Sequence, residues 1–158
     1  EGKKVISVIE DELMKCDQFQ ISVAFITMGG ITPLLQTLKE LEKRQIPGQI
    51  LTTNYLNFSE PRALKKLEEL SNITLKMYDV DRADQGFHTK GYIFKKEEIY
   101  RIIIGSSNIT SAALTKNKEW NTKIVSTEQG EIAQEIVKEF YQLWDSKYAL
   151  FYDDFYEN

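Results

Sequence analysis

The chain has 158 residues but only one histidine, one cysteine and three prolines. A lone cysteine, Cys16, forms neither an intrachain disulfide nor a cysteine-based zinc site, which favours a reducing, intracellular setting. No apolar run approaches the ~20 residues of a membrane span, and no charged-then-apolar leader opens the chain. A cytoplasmic protein without membrane contact is therefore expected. There is no Gly-rich loop ending in Gly-Lys-Ser/Thr and no dinucleotide fingerprint, which argues against nucleotide-driven chemistry within this stretch. The Gly-x-Ser-x-Gly elbow of the serine hydrolases is missing as well. No cofactor or metal is called for. The chain begins at Glu1 rather than Met, which suggests a piece of something longer.

What is present fits one globular domain. The hydrophobic fraction of 42% and charged fraction of 28% are ordinary for such a domain, and the length allows a sizeable core. The net charge of −4 does not announce a nucleic-acid binder, but its distribution is uneven. Between Gly86 and Ser126, seven cations (Lys90, Lys95, Lys96, Arg101, Lys116, Lys118, Lys123) face three acids (Glu97, Glu98, Glu119), which makes that segment +4 and the remainder −8. A basic segment suits a polyanionic substrate.

Hydrophobic spacing predicts a helix over residues 3–16, a strand over 18–26 broken by Gly29-Gly30, and a second helix from Ile31 with Pro33 in its first turn. A strand over 49–53, a helix capped by Ser59 and striped by Leu64, Leu67 and Leu70, and a strand over 73–78 follow. This β-α-β-α-β run implies right-handed crossovers and a sheet sandwiched by helices. A hairpin is then expected from 88–94 and 100–104, joined by Lys95-Lys96-Glu97-Glu98, with a further strand over 120–126. Ile132, Ile136, Phe140, Leu143 and Trp144 stripe a closing helix, and the acidic, aromatic tail from Tyr148 to Asn158 reads as a lead into a linker. The fold class is α/β, a mixed sheet with helices on both faces.

Chemistry concentrates around the one histidine. His88 lies two residues before Lys90, and the run Tyr100 to Ile104 leads into Gly105-Ser106-Ser107-Asn108. On a strand, alternation would point His88 and Lys90 to one face. A nucleophile or base beside a fixed cation, with small donors nearby, suits a phosphodiester. Glu119 opens the next strand, where its carboxylate could return to orient the imidazole. The opposing reading is a histidine with a purely structural role. Asp79-Val80-Asp81-Arg82-Ala83-Asp84 starts like a calcium loop but has Ala83 and Asp84 where a ligand and a glycine are needed, so a solvated loop is expected there.

His88, Lys90, Gly105, Ser106, Asn108 and Glu119 together resemble the signature of the phospholipase D superfamily: His-x-Lys, a spacer, Gly-Ser-x-Asn, then Glu. The superfamily's Asp, five residues past the lysine, is replaced by Lys95, and the spacer is about three residues longer than in short bacterial nucleases. The chain is also similar to the single-copy domain at the N-terminus of restriction-type superfamily II (DEAD/DEAH) helicases, through Ile21 to Ile26, Leu51 to Tyr55, Ala112-Ala113-Leu114 and Glu119-Trp120-Asn121. That resemblance implies a phospholipase D/nuclease-like fold over residues 1–158 and a metal-independent endonuclease acting on DNA, with a helicase domain in cis.

It further implies roles for the residues. His88 attacks phosphorus to give a phosphohistidine, Lys90 and Asn108 bind the non-bridging oxygens, Ser106 supports the site, and Glu119 holds His88 in its working tautomer. Two-histidine chemistry from a one-histidine chain requires a homodimer with a composite site. A DNA-gripping module without cleavage and a lipid phosphodiesterase are the alternatives.

Overall fold

The computed structural model describes residues 5–54, 59–83, 90–105, 109 and 121–157. Its centre is a seven-stranded mixed sheet in the order β6-β5-β4-β1-β2-β3-β7. Here β1 is Gln18–Ser22, β2 Gly48–Thr53, β3 Ile73–Tyr78, β4 Gly91–Lys96, β5 Ile99–Gly105, β6 Asn121–Thr127 and β7 Ala149–Phe151. The first three strands are parallel, and β4, β5, β6 and β7 each add antiparallel. This is the mixed α/β sheet that the β-α-β-α-β run followed by a hairpin predicts.

Alternation along the strands feeds two cores. Phe19, Ile21, Ile50, Leu75, Met77, Tyr92, Phe94 and Ile103 face a layer built by α1 (Val5–Lys15), α2 (Met28–Ile31), α3 (Leu35–Lys43), α4 (Pro61–Glu68) and α7 (Tyr152–Glu157). Leu51, Tyr78, Ile93 and Ile102 face the other layer, closed mainly by α6 (Glu131–Trp144) with the short α5 (Val80–Ala83). Central strands covered on both faces are apolar on both, as parallel strands under crossover helices must be. The polar exceptions on the α6 side are matched: Gln20 Nε2 donates to Gln49 Oε1 at 3.3 Å, and the Tyr141 hydroxyl donates to the same oxygen at 2.7 Å.

Several local expectations are corrected. The first strand ends at Ser22, and Ile26 instead forms an isolated parallel bridge with Ile109. Gly29 and Gly30 lie inside α2, whose N-cap Thr27 accepts from the Gly30 N–H, while Pro33 sits in a 3-10 turn before α3. Ser59 does not cap α4; its hydroxyl accepts from the Ile26 N–H at 3.0 Å. Asp79 heads no solvated loop: its Oδ1 accepts from the backbone N–H of Asp81 and Arg82, capping α5, and from Asn54 Nδ2. On α6 the buried positions are Ala133, Phe140 and Trp144, whereas Ile132 is exposed.

Through Glu157 the tail is part of the fold. Residues 149–151 pair with β3, and α7 packs back on the core through Tyr152 and Phe155. Lys76 explains the docking. Its ammonium lies 4.7 Å from the ring centroids of both Trp144 and Phe151 and donates to the Trp144 carbonyl at 2.9 Å. One β3 lysine thus joins the end of α6 to the tail through two cation–π contacts.

Candidate functional site

The sheet register gathers the flanks of the motif at one end. Ser22, the last residue of β1, pairs with Gly91, the first of β4. Gly91 pairs with Ile104 near the end of β5, and Gly105 pairs with Asn121 at the start of β6. The Gly105 N–H donates to the Lys90 carbonyl at 3.3 Å, so the lysine and the glycine of the two motif halves are backbone neighbours. On the far side of the Gly-Ser-x-Asn stretch, Ile109 is buried and its carbonyl accepts from the Thr27 N–H at 2.9 Å. This end also carries Thr53, the last residue of β2, which makes it the carboxyl edge of the parallel strands. Clefts at that edge are the usual binding locus of open α/β sheets.

Lys90 and Gly105 are the predicted site residues placed here. Lys90 is half-buried. His88, Ser106, Asn108 and Glu119 lie outside the described residues. β4 begins at Gly91, so Lys90 immediately precedes the strand, and the shared face expected for His88 and Lys90 rests on residues outside the described ones. The departure at Lys95 acquires a physical setting. Position 95 is near the opposite end of β4, roughly 16 Å of extended chain from Lys90. Its ammonium meets Glu128 at 2.8 Å, and that hydrogen bond holds the lysine's pKa above its ordinary value. The missing Asp is therefore a change at the far rim of the sheet.

The basic excess of this segment is less open than its sequence suggests. Lys95 pairs with Glu128, Lys96 with Asp17 at 3.5 Å, and Arg101 and Lys123 both pair with Glu12. The Glu97 N–H and, secondarily, Lys96 hold the Asp17 carboxyl below the usual carboxylate range. Lys95, Lys96, Arg101 and Lys123 thus each face an acid, and those acids come from outside the segment. Glu12 itself is a residue that composition and motif did not reveal. It sits on the apolar stripe of α1, three residues after Ile9 and four before Cys16, and a carboxylate at such a spacing was the available signal.

Residues 9–144 match the sequence pattern of the family described as cardiolipin synthase, PLD-like domain. No curated protein matches the chain. The fold is similar to that of the phosphatidylserine synthase of Haemophilus influenzae Rd KW20, with a TM-score of 0.69 and 15% identity over 96% of this chain and 37% of that one. It is also similar to the polyphosphate kinase of Porphyromonas gingivalis (TM-score 0.63, 13% identity, 93% of this chain and 22% of that one). A third likeness is to TrmBL2, an archaeal chromatin protein whose structure shows a novel mode of DNA binding (TM-score 0.50, 14% identity, 89% and 48%). The chain spans less than half the length of each, and at these identities the likeness is one of fold.

Proposed function

The chain belongs to the phospholipase D-like domain family, and from that premise we propose that it is a metal-independent phosphodiesterase domain that cleaves DNA through His88. The observation that carries this reading is the register at the carboxyl edge of the sheet. Lys90, Gly105 and Asn121 belong to three separate motif segments, yet consecutive strand pairings bring them together. His88 is two residues from Lys90, Ser106 and Asn108 lie between Gly105 and Ile109, and Glu119 is two residues from Asn121.

In the proposed mechanism the imidazole of His88 attacks phosphorus, and the bond to the leaving oxygen breaks to leave a phosphohistidine. A second histidine protonates that oxygen and then takes a proton from the water that releases the phosphate. Lys90 and Asn108 bind the non-bridging oxygens, whose charge grows in the transition state. Ser106 supports them by hydrogen bonding, and Glu119 holds the tautomer of His88. Since each chain supplies one histidine, the second comes from another copy in a two-fold dimer. A helicase module in the same protein and a cytoplasmic setting complete the reading.

The pairing of Lys95, Lys96, Arg101 and Lys123 with acids weighs against a module that only grips DNA, because gripping a backbone relies on cations free to displace counterions. A lipid substrate is the other reading, and the names of the family and of one structural neighbour keep it in view. Against it, the large exposed apolar side chains among the described residues, Met14, Val125, Ile132, Phe151 and Tyr156, are scattered over five elements and form no docking patch at the sheet edge.

The test is cleavage of supercoiled and linear DNA in excess EDTA, by wild type and His88→Ala, beside hydrolysis of anionic phospholipid vesicles. DNA cleavage that survives EDTA and is lost in the variant is expected, from a protein that sediments as a dimer. Cleavage abolished by EDTA, cleavage retained by His88→Ala, or hydrolysis of lipid alone would overturn the proposal.

A further inference from the structure

Glu12 is 1% exposed, yet it carries a carboxylate. Its Oε2 pairs with Lys123 Nζ, and its Oε1 lies 3.8 Å from Arg101 Nε. That separation is within ion-pair range but too long for a hydrogen bond, and Oε1 has no hydrogen-bond partner among the described residues. Burying a carboxylate is costly, and an apolar side chain of similar volume in such a place often gives an equally or more stable protein. Stability alone is therefore a poor reason for a charge on the apolar stripe of α1. Geometry is a better one.

The two cations that Glu12 holds stand on the strands that end at the motif. Arg101 is four residues before Gly105 on β5, and Lys123 is two residues after Asn121 on β6. Arg101 pairs with Val125 and Ile103 with Lys123, so the two cations are diagonal neighbours on the α1 face. The edge strand β6 has β5 as its one ladder partner among the described residues, and on this face its Lys123 and Val125 are exposed. The Glu12–Lys123 pair thus fastens this edge to the body of the domain.

We propose that Glu12 is a positioning residue for phosphodiester cleavage. By clamping Arg101 and Lys123 it fixes the twist of β6 against β5, and with it the places where the chain leaves the sheet at Gly105 and enters it at Asn121. The proposal rests on the function assigned above. A misplacement of about 1 Å in a catalytic constellation can cost on the order of 100-fold in rate, so a clamp acting through backbone geometry should show in kcat rather than in binding.

The experiment combines steady-state cleavage of a short DNA duplex, amide hydrogen exchange and thermal melting. Its variants are Glu12→Gln, Lys123→Met, Lys123→Arg and, as a control at the opposite rim, Lys96→Met. Glu12→Gln and Lys123→Met are expected to lower kcat about ten-fold or more while leaving KM within about two-fold. Both should speed exchange across residues 121–127 but not across β1 to β3. Lys123→Arg should restore kcat and protection, and Lys96→Met should change neither. Lys123 is on the surface, so Lys123→Met carries the test if Glu12→Gln does not fold.

Wild-type protection of β6 in both clamp variants would overturn the proposal, and so would faster exchange with kcat unchanged. If wild type cleaves no DNA, the assigned function fails. The exchange comparison needs no activity, and it then decides on its own whether the clamp stands.

Discussion

Gly48 opens β2 opposite Phe19 of β1, and replacing it with alanine tests how tightly these two strands are packed. No described glycine has a positive φ, so the requirement here is room rather than backbone freedom. A methyl on Gly48 would lie 2.1 Å from Cζ of Phe19 and 2.4 and 2.5 Å from its Cε atoms. Carbon atoms in contact sit ~3.5–4.0 Å apart, so the ring would have to move by about 1.5 Å. Phe19 is fully buried in the layer beneath α1 and α3, and a flat, rigid ring in a filled core has nowhere to go. Overpacking of this kind costs about 1–3 kcal/mol. Alanine recovers roughly 0.5–1 kcal/mol that glycine loses in a strand.

The net expectation for Gly48→Ala is a loss of about 1–2 kcal/mol, or about 2–8 °C in Tm for a domain of this size. Calorimetry and urea titration would measure it. Phe19→Ala alone should cost ~3–5 kcal/mol. In the double variant the new methyl enters space that the ring has left, so the combined loss should fall short of the sum by about 1–2 kcal/mol. Because this pair is at the end of β1 and β2 away from Ser22 and Thr53, DNA cleavage at a temperature where the variant stays folded should match wild type. A Gly48→Ala protein that melts at or above the wild-type temperature, or losses that simply add, would refute the steric reasoning.

Two further outcomes follow from local backbone and burial. Glu97 begins the two-residue turn between β4 and β5 with φ of 54°, a left-handed conformation that costs a side-chain-bearing residue about 1 kcal/mol or more. Glu97→Gly keeps the N–H that donates to Asp17 at 2.7 Å and should raise Tm by about 2–4 °C; an unchanged or lower Tm by calorimetry would count against it. The Cys16 thiol is buried and donates to the Leu13 carbonyl at 3.2 Å, and burial pushes its pKa from 9.0 up to about 11. Because the folded value is the raised one, this contribution is complete below pH 9 and is lost as pH climbs toward 11, by about 2–3 kcal/mol in all. Urea titrations of wild type and Cys16→Ala at pH 8 and pH 10.5 should show the difference between them shifting by that order, and the native thiol should resist alkylation until the protein unfolds.

The arrangement of layers was legible because it depends on periodicity, which a sequence displays directly. Ile9 and Leu13, then Leu38 and Leu41, then Leu64 and Leu67 mark helix faces that do become buried. The failures occur where a tertiary partner outweighs the local signal. Ser59 precedes a helix and looks like its cap, yet the bridging strand residue Ile26 needs an acceptor and takes the hydroxyl. The aromatic tail gave no sign of packing back because nothing local holds it. It is held by Lys76, whose stem and charge fit between Trp144 and Phe151 from a strand some seventy residues earlier. Asp79 read as loop because an acid-rich stretch is polar, although one of those acids is the cap that lets α5 start.

Legibility at the site has the same limit, expressed in charge. Summing seven cations and three acids over residues 86–126 treats the chain as a line, whereas the ion pairs form across a sheet. Asp17 and Glu12 reach Lys96, Arg101 and Lys123 from the first helix and the turn after it, and Glu128 reaches Lys95 from just beyond the segment. Polyanion attraction read from that sum is therefore overstated at these four positions. The register leads to a narrower picture. Strand pairing brings Lys90, Gly105 and Asn121 to one edge whatever the surrounding charge. A phosphodiester recognised there would meet a small constellation held by backbone geometry, while Lys95, Lys96, Arg101 and Lys123 are already engaged by acids.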